Sequence, residues 1–156
     1  MDINHQSVIP KGNPPEKMPS GIKEFYILDE CREENGKRIT EEALSKLLED
    51  IRNKEGVGIS LYKDPDLEGD YMQIEADGNL IFLQYVENYC TSDECIYSCF
   101  NPDCLDSDEW SPIEASDGQS VILMRYTMDD HELAAICVEY FVRTGQLYPG
   151  MAWLKS

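Results

Sequence analysis

Three short segments near the middle of the chain alternate apolar and polar residues. They cover residues 58–63, 71–75 and 80–86, and a repeat of two residues is typical of strands that bury one face. The Asp-Gly-Asn sequence at 77–79 favours a tight turn between the last two segments. The pattern therefore predicts three consecutive antiparallel strands, a meander.

Further strands are expected on both sides of this meander. Residues 24–29 form a compact apolar run rich in strand-forming residues, and the Asn-Gly pair within 34–37 favours a turn after it. Residues 121–126 form a second run of the same kind. We therefore expect a first strand with its hairpin before the meander, and another strand late in the chain.

Two segments carry apolar residues at helical spacing. Thr40 stands before residues 41–51, where it can cap a helix. The apolar positions of this helix share one face: Leu44, Leu47, Leu48 and Ile51. A second helix is expected before Gly145, with Thr127 and Asp130 resembling a capping box at its start. Its apolar positions are Leu133, Cys137, Tyr140 and Phe141.

The two ends of the chain differ from its centre in composition, with prolines at the start and aromatic residues near the end. Half of the eight prolines lie in the first twenty residues, and proline disfavours both a regular helix and a central strand. We expect an extended proline-rich arm over residues 1–21 and a single domain over 22–156. Aromatic residues within 147–153 are expected to seal the core between the sheet and the helices.

Residues 87–117 interrupt the regular pattern. They contain four cysteines, two prolines and a run of acids, and a segment this long without periodicity is expected to be an excursion from the domain. The order of elements on either side predicts an α+β fold. In this fold an antiparallel sheet of about five to six strands carries two main helices.

The charge balance limits the kind of partner. The 156 residues include 31 acidic and 13 basic residues, for a formal net charge of −18, so the chain repels nucleic acid and anionic membranes and attracts basic partners. No secretory leader is apparent, and no segment has the length and apolarity of a membrane span. We therefore expect a cytoplasmic protein that contacts neither nucleic acid nor membrane directly.

The six cysteines raise the question of a metal site. In the cytoplasm we expect reduced thiols rather than disulfides. Four cysteines follow a C-x4-C-x3-C-x4-C spacing: Cys90, Cys95, Cys99 and Cys104. They are enough to close a zinc site, but the usual C-x2-C pairs are missing, and free thiols packed under a loop are the interpretation we prefer. Cys31 and Cys137 are expected to be small core residues, and no cofactor is assigned.

An acidic segment over residues 64–75 resembles a calcium-binding loop in its spacing. Carboxylates stand at its first, third, fifth, seventh and twelfth positions, with glycine at the sixth, as in an EF-hand. An EF-hand needs a helix on each side, whereas both flanks here alternate like strands. We therefore expect an acidic hairpin loop, with calcium binding as the alternative.

No catalytic constellation is visible in the sequence. His5 lies in the arm and His131 at the start of a helix, and neither is placed beside an evident nucleophile. A P-loop, a dinucleotide fingerprint and the zinc-hydrolase, serine-hydrolase and zinc-deaminase signatures are also missing. We therefore expect a protein that is not an enzyme.

Acidic and aromatic residues are interleaved along the excursion. Aromatic anchors ringed by carboxylates suit a basic protein partner, because charges steer the encounter and rings supply affinity. The candidate partner-binding residues of the excursion are Asp93, Glu94, Tyr97, Phe100, Asp106, Asp108, Glu109 and Trp110. A second group lies in the acidic hairpin loop: Asp64, Asp66, Glu68 and Asp70. The alternative is a solvated loop with its rings turned inward.

The end of the chain carries a motif. Within residues 134–153, an Ala-Ala pair is followed by aromatic residues, Thr-Gly, Pro-Gly and a tryptophan. The matching residues include Tyr140, Phe141, Gly145, Pro149 and Trp153. This segment resembles the end of the Imm1 family of bacterial immunity proteins, and the order of elements over residues 22–156 is also similar.

Membership of that family would imply a cytoplasmic antitoxin. Such a protein binds a cognate toxin domain, commonly a nucleic-acid deaminase, and neutralises it by blocking the active site or substrate groove. The acidic charge agrees with this expectation, because an enzyme that grips nucleic acid presents a basic groove. Two alternatives stay open: a zinc- or calcium-binding interaction module, and an acidic mimic of DNA that inhibits another nucleic-acid enzyme.

Overall fold

The described part of the chain, residues 6–29, 35–115 and 120–156 of a computed structural model, forms an antiparallel sheet of seven strands, a separate two-stranded hairpin and two helices. The strands are β1 (Ser7–Ile9), β2 (Tyr26–Asp29), β3 (Gly56–Tyr62), β4 (Tyr71–Asp77), β5 (Ile81–Glu87), β6 (Cys95–Ser98), β7 (Trp110–Ala115), β8 (Ser120–Leu123) and β9 (Trp153–Lys155). The helices are α1 (Glu41–Arg52) and α2 (His131–Thr144). Neither helix is long and apolar enough to cross a membrane.

Alternation in the sequence gives the sheet two different faces. The strand order is β1-β9-β6-β5-β4-β3-β2. In one row of this sheet, Ile59 lies opposite Ile74, and Ile74 lies opposite Leu83. Because opposite residues of an antiparallel pair project to the same face, such rows build one apolar face for the helices and leave a mixed face on the other side.

The first helix begins at the predicted cap. The Thr40 side chain accepts a hydrogen bond of 3.1 Å from the backbone nitrogen of Ala43. The predicted apolar face is buried as a whole: Leu44, Leu47, Leu48 and Ile51. The local capping signal and the apolar stripe therefore specify the same helix.

The predicted cap of the second helix is wrong by three residues. Asp130 is the N-cap of α2, and its carboxylate accepts a hydrogen bond of 3.0 Å from the backbone nitrogen of Leu133. The Thr127 hydroxyl donates instead to the carbonyl oxygen of Met124, so it serves the turn before the helix. Gly145 ends α2 as predicted, with a φ of 75° that glycine adopts more readily than other residues.

The main core lies between the sheet and the two helices. Phe141 of α2 is fully buried, and its ring centroid lies 4.8 Å from that of Phe25 and 5.2 Å from that of Tyr85. Cys137 is buried in the same core, as expected. Cys31 lies outside the described residues.

The residues of the C-terminal motif hold the end of the chain against this core. Trp153 is 2% exposed, and its indole nitrogen donates a hydrogen bond of 3.0 Å to the carbonyl oxygen of Tyr148. The Tyr148 ring packs edge-on against Tyr140 of α2, with centroids 5.4 Å apart. The expected sealing role of the aromatic segment is therefore confirmed.

A second, smaller core lies on the mixed face of the sheet. The hairpin of β7 and β8 packs there against β5. The buried residues of this core are Phe82, Ile113, Ala115 and Ile122. The described part of the molecule therefore has three layers, with the helices on one side of the sheet and the hairpin on part of the other.

The predicted α+β class with two main helices is confirmed, but the sheet is larger than expected. Part of the predicted arm, Ser7–Ile9, pairs with β9 at the sheet edge, where the prolines that follow do not interrupt a central ladder. The excursion over 87–117 supplies β6 and β7. The strand predicted over 121–126 ends at Leu123 and continues as a short 3-10 turn.

Candidate protein-binding surface

A row of tyrosines crosses the mixed face of the sheet. Tyr26 of β2 lies opposite Tyr62 of β3, and Tyr62 lies opposite Tyr71 of β4. All three are partly exposed, and the ring centroids of Tyr62 and Tyr71 are 5.0 Å apart. The row continues through Val86 of β5 to Ile96 of β6. Aromatic and aliphatic side chains thus form a continuous strip across five strands.

Two acidic loops lie along one side of this strip, at the end of the sheet. The β3–β4 loop (63–70) and the β5–β6 loop (88–94) leave the same end of the sheet, because the intervening strands are antiparallel neighbours. The backbone nitrogen of Tyr89 donates a hydrogen bond of 3.2 Å to Oδ1 of Asp70. The Tyr89 ring also packs edge-on against Tyr71, with centroids 5.9 Å apart. We call Tyr26, Tyr62, Tyr71, Tyr89 and the two loops the acidic tyrosine surface.

Hydrogen bonds within each loop define its shape. In the β3–β4 loop, the Asp64 carboxylate accepts a hydrogen bond of 2.7 Å from the backbone nitrogen of Asp66. In the β5–β6 loop, the Glu94 carboxylate accepts one of 2.8 Å from the backbone nitrogen of Cys90. Asn88 and Cys90 have φ values of 56° and 61°, which residues other than glycine rarely adopt. Both loops therefore present their carboxylates in a defined arrangement.

The loop end of the sheet carries unpaired negative charge. Residues 55–124 contain 16 of the 31 acidic residues and a single basic residue, Lys63. The Lys63 ammonium donates to the Tyr85 hydroxyl, on the face that carries the helices. The loop acids are Asp64, Asp66, Glu68, Asp70, Asp93 and Glu94, and five of the six are exposed. None of the six forms an ion pair with a residue that the structure describes.

Most acids of the two helices are paired by contrast, and only Glu42 and Glu49 form no ion pair with a described residue. Arg143 of α2 pairs with Glu41 at 2.9 Å and with Glu139 at 2.8 Å. Its hydrogen bonds to these two carboxylates raise the pKa of Arg143 above its ordinary value. Arg52 pairs with Glu132 at 2.8 Å. The helices therefore leave fewer carboxylates unpaired than the two loops, and the loop end of the sheet attracts a basic partner.

The phenols of Tyr62, Tyr71 and Tyr89 have raised pKa values and stay neutral over the ordinary pH range. Burial raises the pKa of Tyr62 above 10.0. Burial is also the main cause of the raised pKa of Tyr71, and the nearby Glu94 adds to it. The pKa of Tyr89 is raised chiefly by its hydrogen bond with the Cys90 side chain. Neutral phenols donate and accept hydrogen bonds while their rings provide apolar contact area.

The candidate residues of the excursion are divided among different places. Asp93 and Glu94 belong to the acidic tyrosine surface, together with the four acids predicted in the hairpin loop. Tyr97 faces the helix side, where its ring stacks on a buried tyrosine of β5 and lies 5.8 Å from the Lys155 ammonium. Phe100 is half-buried just after β6.

The remaining candidates form a separate surface. The chain reaches Asp106 only after β6 has run back from the end where the acidic loops lie. Asp108 pairs at 2.6 Å with Arg125, and Glu109 leads into β7. Trp110 is the first residue of β7 and is 70% exposed. We call the exposed residues on this side the hairpin patch: Asp106, Asp108, Glu109, Trp110, Pro112 and Val121.

Within the described ranges, no three His, Cys, Asp or Glu side chains are placed to hold a metal ion. The four clustered cysteines occur as free thiols at different depths: Cys90 is exposed, Cys95 and Cys104 are half-buried, and Cys99 is buried. The calcium-like loop joins β3 to β4, so strands rather than helices flank it.

The structure also contains an acidic cleft of about 780 Å³ between α1 and β3. Its carboxylates come from Asp29, Glu42, Asp50, Glu75 and Glu114, and Lys46 pairs with Asp50 at 2.8 Å. None of the candidate residues predicted from the sequence lines it.

The described histidine, His131, does not line this cleft. It begins α2, where its Nδ1 lies 3.0 Å from the carbonyl oxygen of Asp129. His5 lies outside the described residues.

The tyrosines of the row were not among the candidate residues predicted from the sequence. Tyr62 and Tyr71 flank the acidic β3–β4 loop directly and occupy the outward positions of alternating strands. That position was a usable signal, because a half-exposed aromatic pair beside unpaired acids is uncommon on a purely solvated face.

Comparisons with known proteins identify no relative, so a function is proposed from this geometry and from the sequence. The chain matches no known protein family, no curated protein and no solved structure.

Proposed function

We propose that the protein binds a basic partner protein through the acidic tyrosine surface and thereby blocks the partner's activity. The observation that carries the proposal is the hydrogen bond between Asp70 and Tyr89, which joins two acidic loops beside the tyrosine row. Apolar rings and uncompensated carboxylates are thereby presented on one surface in a fixed arrangement.

Each part of this surface has a distinct role in binding. Carboxylates at the loop tips raise the association rate with a basic protein, by about 10- to 1000-fold at low salt. The rings of Tyr62, Tyr71 and Tyr89 supply the buried contact area that slows dissociation, and tyrosines at such positions are frequent hot spots. Because the loops are already ordered by internal hydrogen bonds, little entropy is lost on docking.

A narrower form of the proposal follows from the resemblance of residues 134–153 to the Imm1 family. In this form the protein is a cytoplasmic antitoxin, and its partner is a cognate toxin domain that acts on nucleic acid, such as a deaminase. A nucleic-acid enzyme presents a basic groove to phosphates. An acidic surface that occupies this groove competes directly with the substrate.

Co-expression tests this proposal. The partner to be tested is the C-terminal domain of whichever large secreted protein is encoded next to this gene, and the readouts are co-purification and residual toxin activity. We expect a stable complex in which toxin activity is lost and single-stranded DNA competes for binding. Absence of a complex together with undiminished toxicity would refute the antitoxin role.

An unrelated basic nuclease serves as the specificity control. An antitoxin leaves its activity unchanged, whereas a general mimic of DNA charge inhibits it as well. Inhibition of both enzymes with similar affinity would replace the antitoxin role with the DNA-mimic alternative.

A further inference from the structure

The two tryptophans of the chain have opposite environments. Trp153 is 2% exposed in the main core, whereas Trp110 is 70% exposed at the start of β7. Exposed tryptophan is costly to hydrate and is concentrated at protein interfaces. The exposure of Trp110 is therefore typical of an interface residue.

The exposed side of the hairpin continues the apolar character of Trp110. Ile113 and Ile122 point toward the sheet and are buried. On the other side, Pro112 is exposed and Val121 is 49% exposed. The hairpin thus uses one face for the fold and leaves Trp110, Pro112 and Val121 exposed on the other, together with Glu114, which lies opposite Val121.

A buried arginine fixes the segment that leads to Trp110. Arg125 is 5% exposed. Its Nε and Nη2 donate hydrogen bonds of 3.0 and 2.8 Å to the carbonyl oxygen of Ser107, and Nη2 donates a third, of 2.6 Å, to Asp108. The backbone nitrogen of Met124 also donates a bond of 2.8 Å to the carbonyl oxygen of Glu109. Each of the three residues before Trp110 is therefore held in place.

Stability alone does not explain why an arginine is buried at this position. Burying a cation costs several kcal/mol, and an apolar side chain of the same size often stabilises a fold as well or better. Arg125 provides a rigid planar donor that fixes backbone and carboxylate together. This rigidity fixes the backbone that leads to the exposed Trp110 and the Asp108 carboxylate beside it.

We infer that Trp110 is the anchor of a second docking site, the hairpin patch, on the same basic partner. The inference rests on the proposed function, because the partner's chemistry is taken from it. The indole ring enters an apolar pocket of the partner, and Lys or Arg side chains at the pocket rim pair with Asp106 and Glu109. Charge complementarity selects this occupant, since Asp106 and Glu109 are exposed and form no ion pair with a described residue.

The test compares three forms of the full chain, and the probe is the C-terminal domain of whichever large secreted protein is encoded next to this gene. They are the wild type, Trp110→Ala and, as a matched control, Val8→Ala, which truncates another exposed apolar side chain on edge strand β1. We expect Trp110→Ala to weaken binding by at least about 30-fold through faster dissociation. We expect Val8→Ala to leave both rate constants unchanged.

The outcomes separate this inference from the proposed function. If the wild type binds and Trp110→Ala binds equally tightly, the second docking site is refuted while the proposed function stands. If the wild type does not bind, the proposed function is refuted and this inference falls with it. Because Trp110 is exposed, Trp110→Ala should retain the thermal midpoint of the wild type, which is checked in the same samples.

Tryptophan fluorescence gives an independent readout, because Trp153 is buried and only Trp110 is open to acrylamide. In the free protein, acrylamide should quench a large fraction of the emission, and Trp110→Phe should remove that fraction. In the complex with a partner domain whose tryptophans are replaced by phenylalanine, the quenchable fraction should fall. Unchanged quenching in the complex would place Trp110 outside the interface.

Discussion

Asp70 and Tyr89 join two loops that are far apart in the chain. Oδ1 of Asp70 accepts a hydrogen bond of 3.2 Å from the backbone nitrogen of Tyr89, and the Tyr89 ring lies against Tyr71. Asp70 is also one of the acids that give this end of the sheet its charge. One carboxylate therefore contributes both to the order of the surface and to its electrostatic potential.

Replacing Asp70 by alanine should loosen the β5–β6 loop without unfolding the protein. A lost hydrogen bond of this kind is worth about 1 kcal/mol, so the Tyr89 amide should exchange with solvent about 5- to 10-fold faster. Amide hydrogen exchange measures this change. Asp66→Ala is the matched control, since the Asp66 carboxylate has no hydrogen-bond partner among the described residues. Equal exchange in both variants would show that the Asp70 bond does not order the loop.

Reversing the charge of the β3–β4 loop should slow association with the basic partner. In the triple variant Asp64→Lys, Asp66→Lys and Glu68→Lys, we expect the association rate constant to fall by about 10- to 100-fold at low salt, with a smaller change in dissociation. Surface plasmon resonance at several salt concentrations measures both rate constants.

A second triple variant controls for net charge. Glu16→Lys, Glu49→Lys and Glu55→Lys change three exposed acids away from the surface by the same total charge. Their effect on association should be small and should disappear at about 0.15 M salt, where screening acts over about 8 Å. If both triples slow association equally, overall charge rather than the loop governs the encounter.

The sequence predicted what local signals specify. Thr40 and the leucine stripe identified α1, and alternation identified the meander, because each signal lies within a few consecutive residues. Strands β1 and β9 were missed because each has three residues and gains its stability from a partner at the other end of the chain, as in the pair Ser7 and Lys155. A strand of three residues is too short to show the alternation by which longer strands are predicted.

The candidate surface was predicted in its charges but not in its geometry. The loop acids were identified from composition, whereas the contact between Asp70 and Tyr89 depends on the left-handed conformation of Asn88 and Cys90. The direction of Trp110 depends on a register shift in the hairpin between Trp110 and Glu114, because such a shift breaks simple alternation. Both features arise from backbone conformations that residue types alone do not specify.

Asp130, the N-cap of α2, allows a test of stability. Asp130→Ala removes the carboxylate that accepts the Leu133 amide and should lower the free energy of unfolding by about 1 kcal/mol. Asp130→Ser, which can still cap the helix, should lose only a few tenths of a kcal/mol. Urea denaturation measures both. An equal loss in the two variants would mean that the cap does not account for the effect.

The free cysteines should differ in reactivity according to their burial. Cys90 is exposed, whereas Cys99 and Cys137 are buried, and burial raises the pKa of both buried thiols. Because the thiolate is the reactive form, iodoacetamide at pH 8 should modify Cys90 within minutes and leave Cys99 and Cys137 unmodified until urea is added. Peptide mass spectrometry locates the label. Early labelling of Cys99 would contradict its place in the core.

The buried thiol of Cys99 should also make stability depend on pH. Its sulfur donates to the carbonyl oxygen of Tyr126 at 3.2 Å, and burial raises its pKa from 9.0 to about 12. The unfolded thiol loses its proton near pH 9, while the folded one keeps it until about pH 12. The contribution is therefore complete below pH 9 and is lost as the pH rises from 9 toward 12, by at most about 1.4 kcal/mol per pH unit.

The variant Cys99→Ser isolates this effect from the other groups that titrate at high pH. Serine does not ionise in this range, and its hydroxyl can still donate to Tyr126, so the variant loses packing but not the pH-dependent step. The difference in unfolding free energy between wild type and variant should shrink steadily from pH 8 to pH 10.5 in urea titrations. Parallel curves would mean that Cys99 ionises equally in the folded and unfolded chains, and that the sulfur is open to water.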